Sequence, residues 1–265
     1  MIVRSLGYRT DLFFPAFDGE IIDRGDYLVV RTPANPTYHW GNFLLFSNPP
    51  QEGDWDRWRD LFKQEIGPWP QVGHVALGWD GVDGAQGLID PFLAEGYALE
   101  DSIVLTAQAV VRPAKYNEEV EIRPLAGGAE WQAVIENQVV TRDEQYSETG
   151  YRTYTTQKMA RFQAMVAAGL GHWFGAFLNE RLVADLGVFV KDGVGRFQTV
   201  GTHPDYRRRG ICGAMVHQAA EFAYKSLGAK TLVMVADPEY HAAKIYESIG
   251  FKPVERYCGI TWFKD

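Results

Sequence analysis

The run Arg207-Arg208-Arg209-Gly210-Ile211-Cys212-Gly213 is the part of the chain whose residue types and spacing point most directly to chemistry. It joins a strand-like segment, GRFQTVGTH, to a helix-like one, GAMVHQAAEFAY. A strand that turns through glycine into a helix N-terminus leaves several backbone N–H groups unpaired, with the positive end of the helix dipole behind them. Such a nest binds a diphosphate, and arginines at its lip add charge and paired donors for phosphate oxygens. Without an anion the same arginines oppose the dipole, each at a cost of about 0.3–1 kcal/mol. The usual nucleotide loops do not fit: there is no Gly-rich run ending in Lys-Ser/Thr and no GxGxxG here. Gly210 to Gly213 also spells the GxxG of a KH-type RNA-binding loop, but the preceding strand and the acidic chain argue against it.

The elements around the loop must hold it in place. From Glu119 the pattern gives a strand (VEIRPLA), a helix (AEWQAVIENQVV), a polar stretch with three tyrosines, and a helical run from Thr155 to Ala168 that Gly169 and Gly171 end. HWFGAFL, RLVADLGVFV and GRFQTVGTH follow as an antiparallel meander, with turn signals at Asn179-Glu180 and Lys191-Asp192-Gly193. After the loop, Ile211, Met215, Ala219, Phe222 and Leu227 recur at helical intervals and Gly228 stops the helix. KTLVMVA reads as a buried strand. Asp237-Pro238 opens a further helix that closes at Gly250, and FKPVERYCGITWF ends the chain as a strand or a pair of strands.

The first half runs through a weaker copy of this order. YHWGNFLLF is a strand, Asp54 caps the helix WDRWRDLFKQEI, HVALGWD is a strand, and Asp90-Pro91 opens a helix ending at Gly96-Tyr97 before YALEDSIVLTA. Where the second half has three arginines, the first has Glu52, Asp54 and Asp56, which would repel a diphosphate. Residues 1–118 and 119–265 are therefore expected to be two similar domains, the first without a diphosphate site. Trp40, Trp55, Trp58, Trp69 and Trp79 suit either a ligand pocket or, more simply, a core.

Composition narrows the class further. The chain has 265 residues and is 46% apolar and 23% charged, an ordinary globular balance. Its net charge of −8 argues against nucleic acid as a partner. The charge is uneven: residues up to Ala126 hold 10 basic and 19 acidic side chains, net −9, and the remainder is net +1. No apolar run is long enough to span a membrane, and Asp11, Pro15 and Asp18 interrupt the start, so a cytoplasmic location is expected. Cys212 and Cys258 have no spacing that suits a metal; two reduced thiols are expected.

With these residues in place, the C-terminal half resembles the GNAT superfamily of N-acetyltransferases. The family's pyrophosphate signature, an Arg or Gln, two residues, Gly, one residue, then Gly or Ala, falls on Arg207, Arg208-Arg209, Gly210, Ile211 and Cys212. Ala242 to Phe251 resembles its second landmark, an Ala-containing helix with an Ile/Leu-Tyr pair and a terminal Gly-Phe. The resemblance implies a mixed α/β fold whose central strands splay between GRFQTVGTH and KTLVMVA, in a tandem of two similar domains. It also implies acetyl-CoA as co-substrate. The pantetheine arm would pair with the strand at Val200, Gly201 and Thr202, and the diphosphate would sit on Arg207, Arg208, Arg209, Gly210, Ile211, Cys212 and Gly213. Tyr246 would reach the thioester sulfur as the catalytic acid. Two departures stand out: Cys212 replaces a smaller residue, and Glu239 stands where many members carry a coenzyme-binding Asn.

No general base is evident. The strand before the loop offers Gln198 and no acid, Asp237 reads as a helix cap, and Asp185 and His203 are candidates. The expected acceptor is a small-molecule or peptide amine, selected in part by the polar stretch Arg142 to Thr156 with Tyr146, Tyr151 and Tyr154. The acidic first half would then favour cationic amines. The missing carboxylate equally suits a non-catalytic acyl-CoA sensor.

Overall fold

The computed structural model describes residues 1–69, 72–239 and 242–263. The chain divides into two compact units, Met1–Val104 with Val254–Asp265, and Leu105–Pro253.

Unit 1 runs through α1 (Leu6–Asp11), α2 (Pro15–Asp18), β1 (Glu20–Asp23), β2 (Tyr27–Arg31), β3 (Phe43–Phe46), α3 (Asp54–Glu65), β4 (His74–Trp79), α4 (Asp90–Ala94) and β5 (Ala98–Ala107). The runs YLVV and FLLF are continuously apolar because both faces of this sheet are covered. Tyr27, Val29, Leu44 and Phe46 share a core with Trp58 and Phe62 of α3, whereas Leu28, Val30, Phe43 and Leu45 pack with Tyr8 of α1. Trp58 and Trp79 are fully buried, so these tryptophans are core. The β1–β2 hairpin was not read from the sequence, and YHWGNFLLF is strand only over its last four residues, with a 3-10 turn at His39–Gly41.

Unit 2 continues through β6 (Glu121–Pro124), α5 (Gly128–Val140), α6 (Glu148–Ala167), β7 (Gly171–Leu178), β8 (Arg181–Lys191), β9 (Val194–Thr202), α7 (Ile211–Ser226), β10 (Thr231–Ala236) and α8 (Ala242–Ile249). Its strand order is β10-β9-β8-β7-β6. Asn179 and Glu180, and again Asp192 and Gly193, take positive φ, the conformation a two-residue hairpin turn requires. Helix α6 begins seven residues earlier than expected, because the Ser147 hydroxyl accepts from Gly150 N and caps it. Tyr151 and Tyr154 are therefore helical, not loop. Residues 240 and 241 lie outside the described residues, and with them the opening turn expected after Asp237-Pro238.

The final strand, β11 (Lys252–Phe263), passes into unit 1 and pairs antiparallel with β4, from Gly259 opposite Gly78 to Phe263 opposite His74. The segment after β5 packs in unit 2 instead: Tyr224 Oη donates to Ala107 O at 2.9 Å, and Asn117 Nδ2 donates to Arg209 O at 3.0 Å. The compact units thus differ from a division at 118/119 at both places. The order of elements nonetheless repeats, down to the glycines: Gly53 and Gly210 are left-handed N-caps of α3 and α7, and Gly96 and Gly250 follow α4 and α8 at positive φ.

Candidate functional site

Strands β9 and β10 run parallel, but their register covers only Thr231–Val194, Leu232–Gly195 and Val233–Arg196. Beyond that point β9 continues to Thr202 and β10 to Ala236. The two strands separate, and the backbone of β9 from Phe197 onward lines a gap. Parallel strands β3 and β4 of unit 1 behave otherwise. They pair through their last residues, Phe46 opposite Trp79, and Asp80 N donates to Phe46 O at 2.8 Å to close the end.

Strand β9 is also bulged. Asp185 of β8 faces Gly201 and Gly187 faces Gln198, so two β9 residues, Thr199 and Val200, stand opposite Leu186. Thr199 takes φ 47, a left-handed conformation worth about 1–3 kcal/mol of strain in a non-glycine residue. Such a bulge turns backbone N–H and C=O groups away from the ladder, here in the stretch where Val200, Gly201 and Thr202 were expected to meet a ligand.

At the end of the gap the chain makes a 3-10 turn at Pro204–Tyr206 and enters α7 at Gly210, whose φ of 78 carries no side-chain cap. Arg208 is left-handed too, at φ 60. The first-turn amides of Ile211, Cys212 and Gly213 thus have no capping side chain, and Arg207, Arg208 and Arg209 are exposed around them. Arg207 Nε donates to Thr202 O at 3.2 Å and Arg209 Nη2 to Asp205 O at 3.0 Å, which brace the loop from both sides. A Cβ on Gly210 would lie 3.0 Å from Lys115 O, and one on Gly213 3.2 Å from Pro113, so the segment 113–117 backs the loop. This support is not legible in local sequence, because the segment lies about a hundred residues from the loop.

Tyr246 sits on α8, 5% exposed, with its ring 6.5 Å from that of Phe251. The Cys212 thiol is pushed up to about 12 by burial, and that of Cys258 to about 11 for the same first reason. Burial therefore works against thiolate character at the helix N-terminus. Alkylation of the native protein by iodoacetamide at about pH 8 is expected to be at least 100-fold slower than that of the unfolded chain. Equal rates would contradict this placement.

The candidate bases separate clearly. Asp237 Oδ1 accepts from Glu239 N two residues on, at 2.8 Å, in an Asx turn. His203 Nδ1 accepts from Asp205 N at 3.3 Å and holds the loop. Asp185 is fully buried, its carboxylate accepting from Asn137 Nδ2 and Gln138 Nε2 at 2.6 Å each and from Trp173 Nε1 at 3.1 Å. Burial raises its pKa to about 7 against the pull of those donors. The aromatic residues of the 142–156 stretch lie together, Tyr151 within 5.4 Å of Tyr154 and 5.9 Å of Tyr146 by ring centroids. Among the described residues, no group of three or more His, Cys, Asp or Glu is placed to hold a metal, and no helix is long and apolar enough to cross a membrane. A cleft of about 480 Å³ lies in unit 1, between α3 and the start of β4, and contains none of the expected coenzyme-binding residues.

Comparison with known proteins bears on this arrangement. Residues 169–253 match the family model of the acetyltransferase (GNAT) domain. Comparison with curated proteins gives no match. Among solved structures, a functionally unknown conserved protein from Staphylococcus epidermidis has a TM-score of 0.73 at 13% identity, over 94% of this chain and 96% of that one. A GCN5-related N-acetyltransferase from Kribbella flavida has a TM-score of 0.65 at 15% identity, over 97% and 96%. A tandem GNAT protein from the clavulanic acid biosynthesis pathway has a TM-score of 0.50 at 14% identity, over 79% and 68%. At these identities the likeness is one of fold. The matched segment runs from β7 to the end of α8 and takes in the separating strands and the arginine loop, so residues 169–253 of this chain form an acetyltransferase (GNAT) domain.

Proposed function

We propose that unit 2 moves an acetyl group from acetyl-CoA to an amine by direct attack within a ternary complex. The observation that carries this reading is the opening between β9 and β10, which ends at an uncapped helix N-terminus ringed by arginines. An extended pantetheine arm pairs with the β9 backbone at Val200, Gly201 and Thr202, and the diphosphate takes the amides from Arg208 to Gly213. The amine nitrogen attacks the thioester carbonyl carbon while a β9 N–H holds the oxyanion. The C–S bond then breaks, Tyr246 gives its hydroxyl proton to the departing thiolate, and the proton lost by the amine passes through water to restore the tyrosine hydroxyl.

Unit 1 keeps the element order without the site. Its β3–β4 seam is closed, and Asp54 and Asp56 occupy the first turn of α3. We assign it no coenzyme. Its acidity attracts cationic acceptors at long range, so KM for a diamine is expected to rise several-fold as ionic strength goes from about 0.01 to about 0.15 M, with KM for a neutral hydroxylated amine unchanged. Parallel salt dependence for both would contradict the attraction.

One observation favours a second reading, a non-catalytic acyl-CoA sensor: β9 carries no acid, and the nearest buried carboxylate, Asp185, is sealed from solvent. Thiol release from acetyl-CoA across a panel of primary amines separates the two. Turnover with at least one amine supports the transferase; tight acetyl-CoA binding with no turnover on any amine supports the sensor.

A further inference from the structure

The carboxylate of Asp185 lies where the β9 bulge begins. Asp185 faces Gly201 across the β8–β9 ladder, and the register slips at its next neighbour. Its oxygens are held by the adjacent amides Asn137 and Gln138 of α5, and Gln138 Nε2 also reaches Thr199 O at 3.5 Å. The same α5 residues press on Gly201. A Cβ there would lie 3.3 Å from Gln138 Nε2, 3.6 Å from Thr141 Oγ1 and 3.7 Å from Asn137 Nδ2. The strained Thr199 and the side-chain-free Gly201 are thus set against a pair of amides whose orientation the Asp185 carboxylate fixes.

We propose that Asp185 is a positioning residue whose ionised form, acting through Asn137 and Gln138, sets the β9 backbone at Thr199–Gly201. Its effect on rate rests on the acetyl-transfer reading; its effect on the strand does not. An ionised carboxylate accepts only, and three donors converge on it. In that state Asn137 Oδ1 is buried with no partner, although Asn137 is only 4% exposed. Protonation of the carboxylate reverses the preference. A carboxyl O–H needs an acceptor, and a flip of the Asn137 amide supplies the orphaned oxygen. The amide pair consequently has two hydrogen-bonding arrangements, one for each charge state, and only the first presents Nδ2 of Asn137 and Nε2 of Gln138 together.

The groups facing Asp185 do not supply a competing switch in this range. Asn137 and Gln138 of α5 and Trp173 of β7 do not titrate there. Lys158 of α6 holds the carboxylate down, and Tyr151 of α6 is itself raised by burial. With Asp185 near 7, activity is expected to rise with pH through that value.

Asp185→Asn mimics the protonated state, because Asn137 can flip to accept from the new amide. Its kcat is expected to be about 10- to 100-fold below that of the native protein at high pH and to lack the rising limb, with acetyl-CoA affinity weakened several-fold because the pantetheine arm pairs with the same stretch of strand. The strand itself is read by the backbone amide NMR shifts of Thr199 to Thr202 between about pH 5.5 and 8.5. These should titrate with a midpoint near 7 in the native protein and be flat in Asp185→Asn. Gln138→Leu provides the second variant: the Trp173 indole N–H should still follow Asp185, while the β9 amides no longer do. Shifts of Thr199 to Thr202 that are flat in the native protein, or that titrate alike in Asp185→Asn, overturn the proposal. Absence of turnover on every amine overturns acetyl transfer and leaves the strand titration to decide this one.

Discussion

Replacing Arg208 and Arg209 together by glutamate is expected to weaken acetyl-CoA binding by about 100-fold or more, while the melting temperature stays level or rises slightly. The two effects have opposite signs for one reason. A hydrogen bond from a charged group contributes about 1.5–3 kcal/mol, so losing two and adding two repelling charges exceeds a factor of 100. In the absence of ligand the same arginines face the positive end of α7, and acidic residues there are favourable by about 0.3–1 kcal/mol each. Both side chains are exposed, and the Arg209→Glu arm loses the bond to Asp205 O and the contact with the Tyr206 ring. Calorimetry for binding and thermal unfolding for stability check the pair. Lost affinity with an equally large loss of stability would instead make these arginines part of the fold.

The second large effect is on chemistry. Tyr246→Phe is expected to lower kcat by about 100-fold, within the usual contribution of a positioned acid, and to leave the acetyl-CoA dissociation constant within about threefold. The ring keeps its place against Phe251, so only the hydroxyl is tested. Steady-state thiol release gives kcat, and direct titration gives the affinity. A variant with native kcat would remove Tyr246 from the reaction and leave it a packing residue.

Much of the machinery could be read from residues that act locally. The turns at Asn179-Glu180 and Asp192-Gly193 and the stops at Gly169, Gly228 and Gly250 depend on backbone conformations that few residue types adopt cheaply, and all take positive φ. The start of α7 was legible for the same reason, since Gly210 takes the left-handed conformation that glycine encodes.

What escaped was set by partners distant in sequence. The start of α6 was hidden by tyrosines that read as loop until Ser147 is seen to cap the helix. The bulge in β9 depends on register with β8, which alternation alone does not reveal. Asp185 could be named as a carboxylate near the strand, but not as a buried one, because its amide partners lie 47 and 48 residues away on another element. The separation of β9 from β10, and the closed seam of β3 and β4, likewise follow from pairing lengths. The acidic loop at Glu52 to Asp56 pointed to a unit without a coenzyme; the closed seam is an independent physical reason for the same expectation. The destination of the last strand was hidden because chain order suggests β11 should stay in the unit it leaves.

A single acetyl-CoA site in the gap between β9 and β10 is what every step of the proposed reaction requires. Calorimetric titration of the full chain with acetyl-CoA tests it most directly. One site per chain, abolished by Arg208→Glu with Arg209→Glu, is the predicted result; two equivalent sites, or binding untouched by that variant, would contradict it.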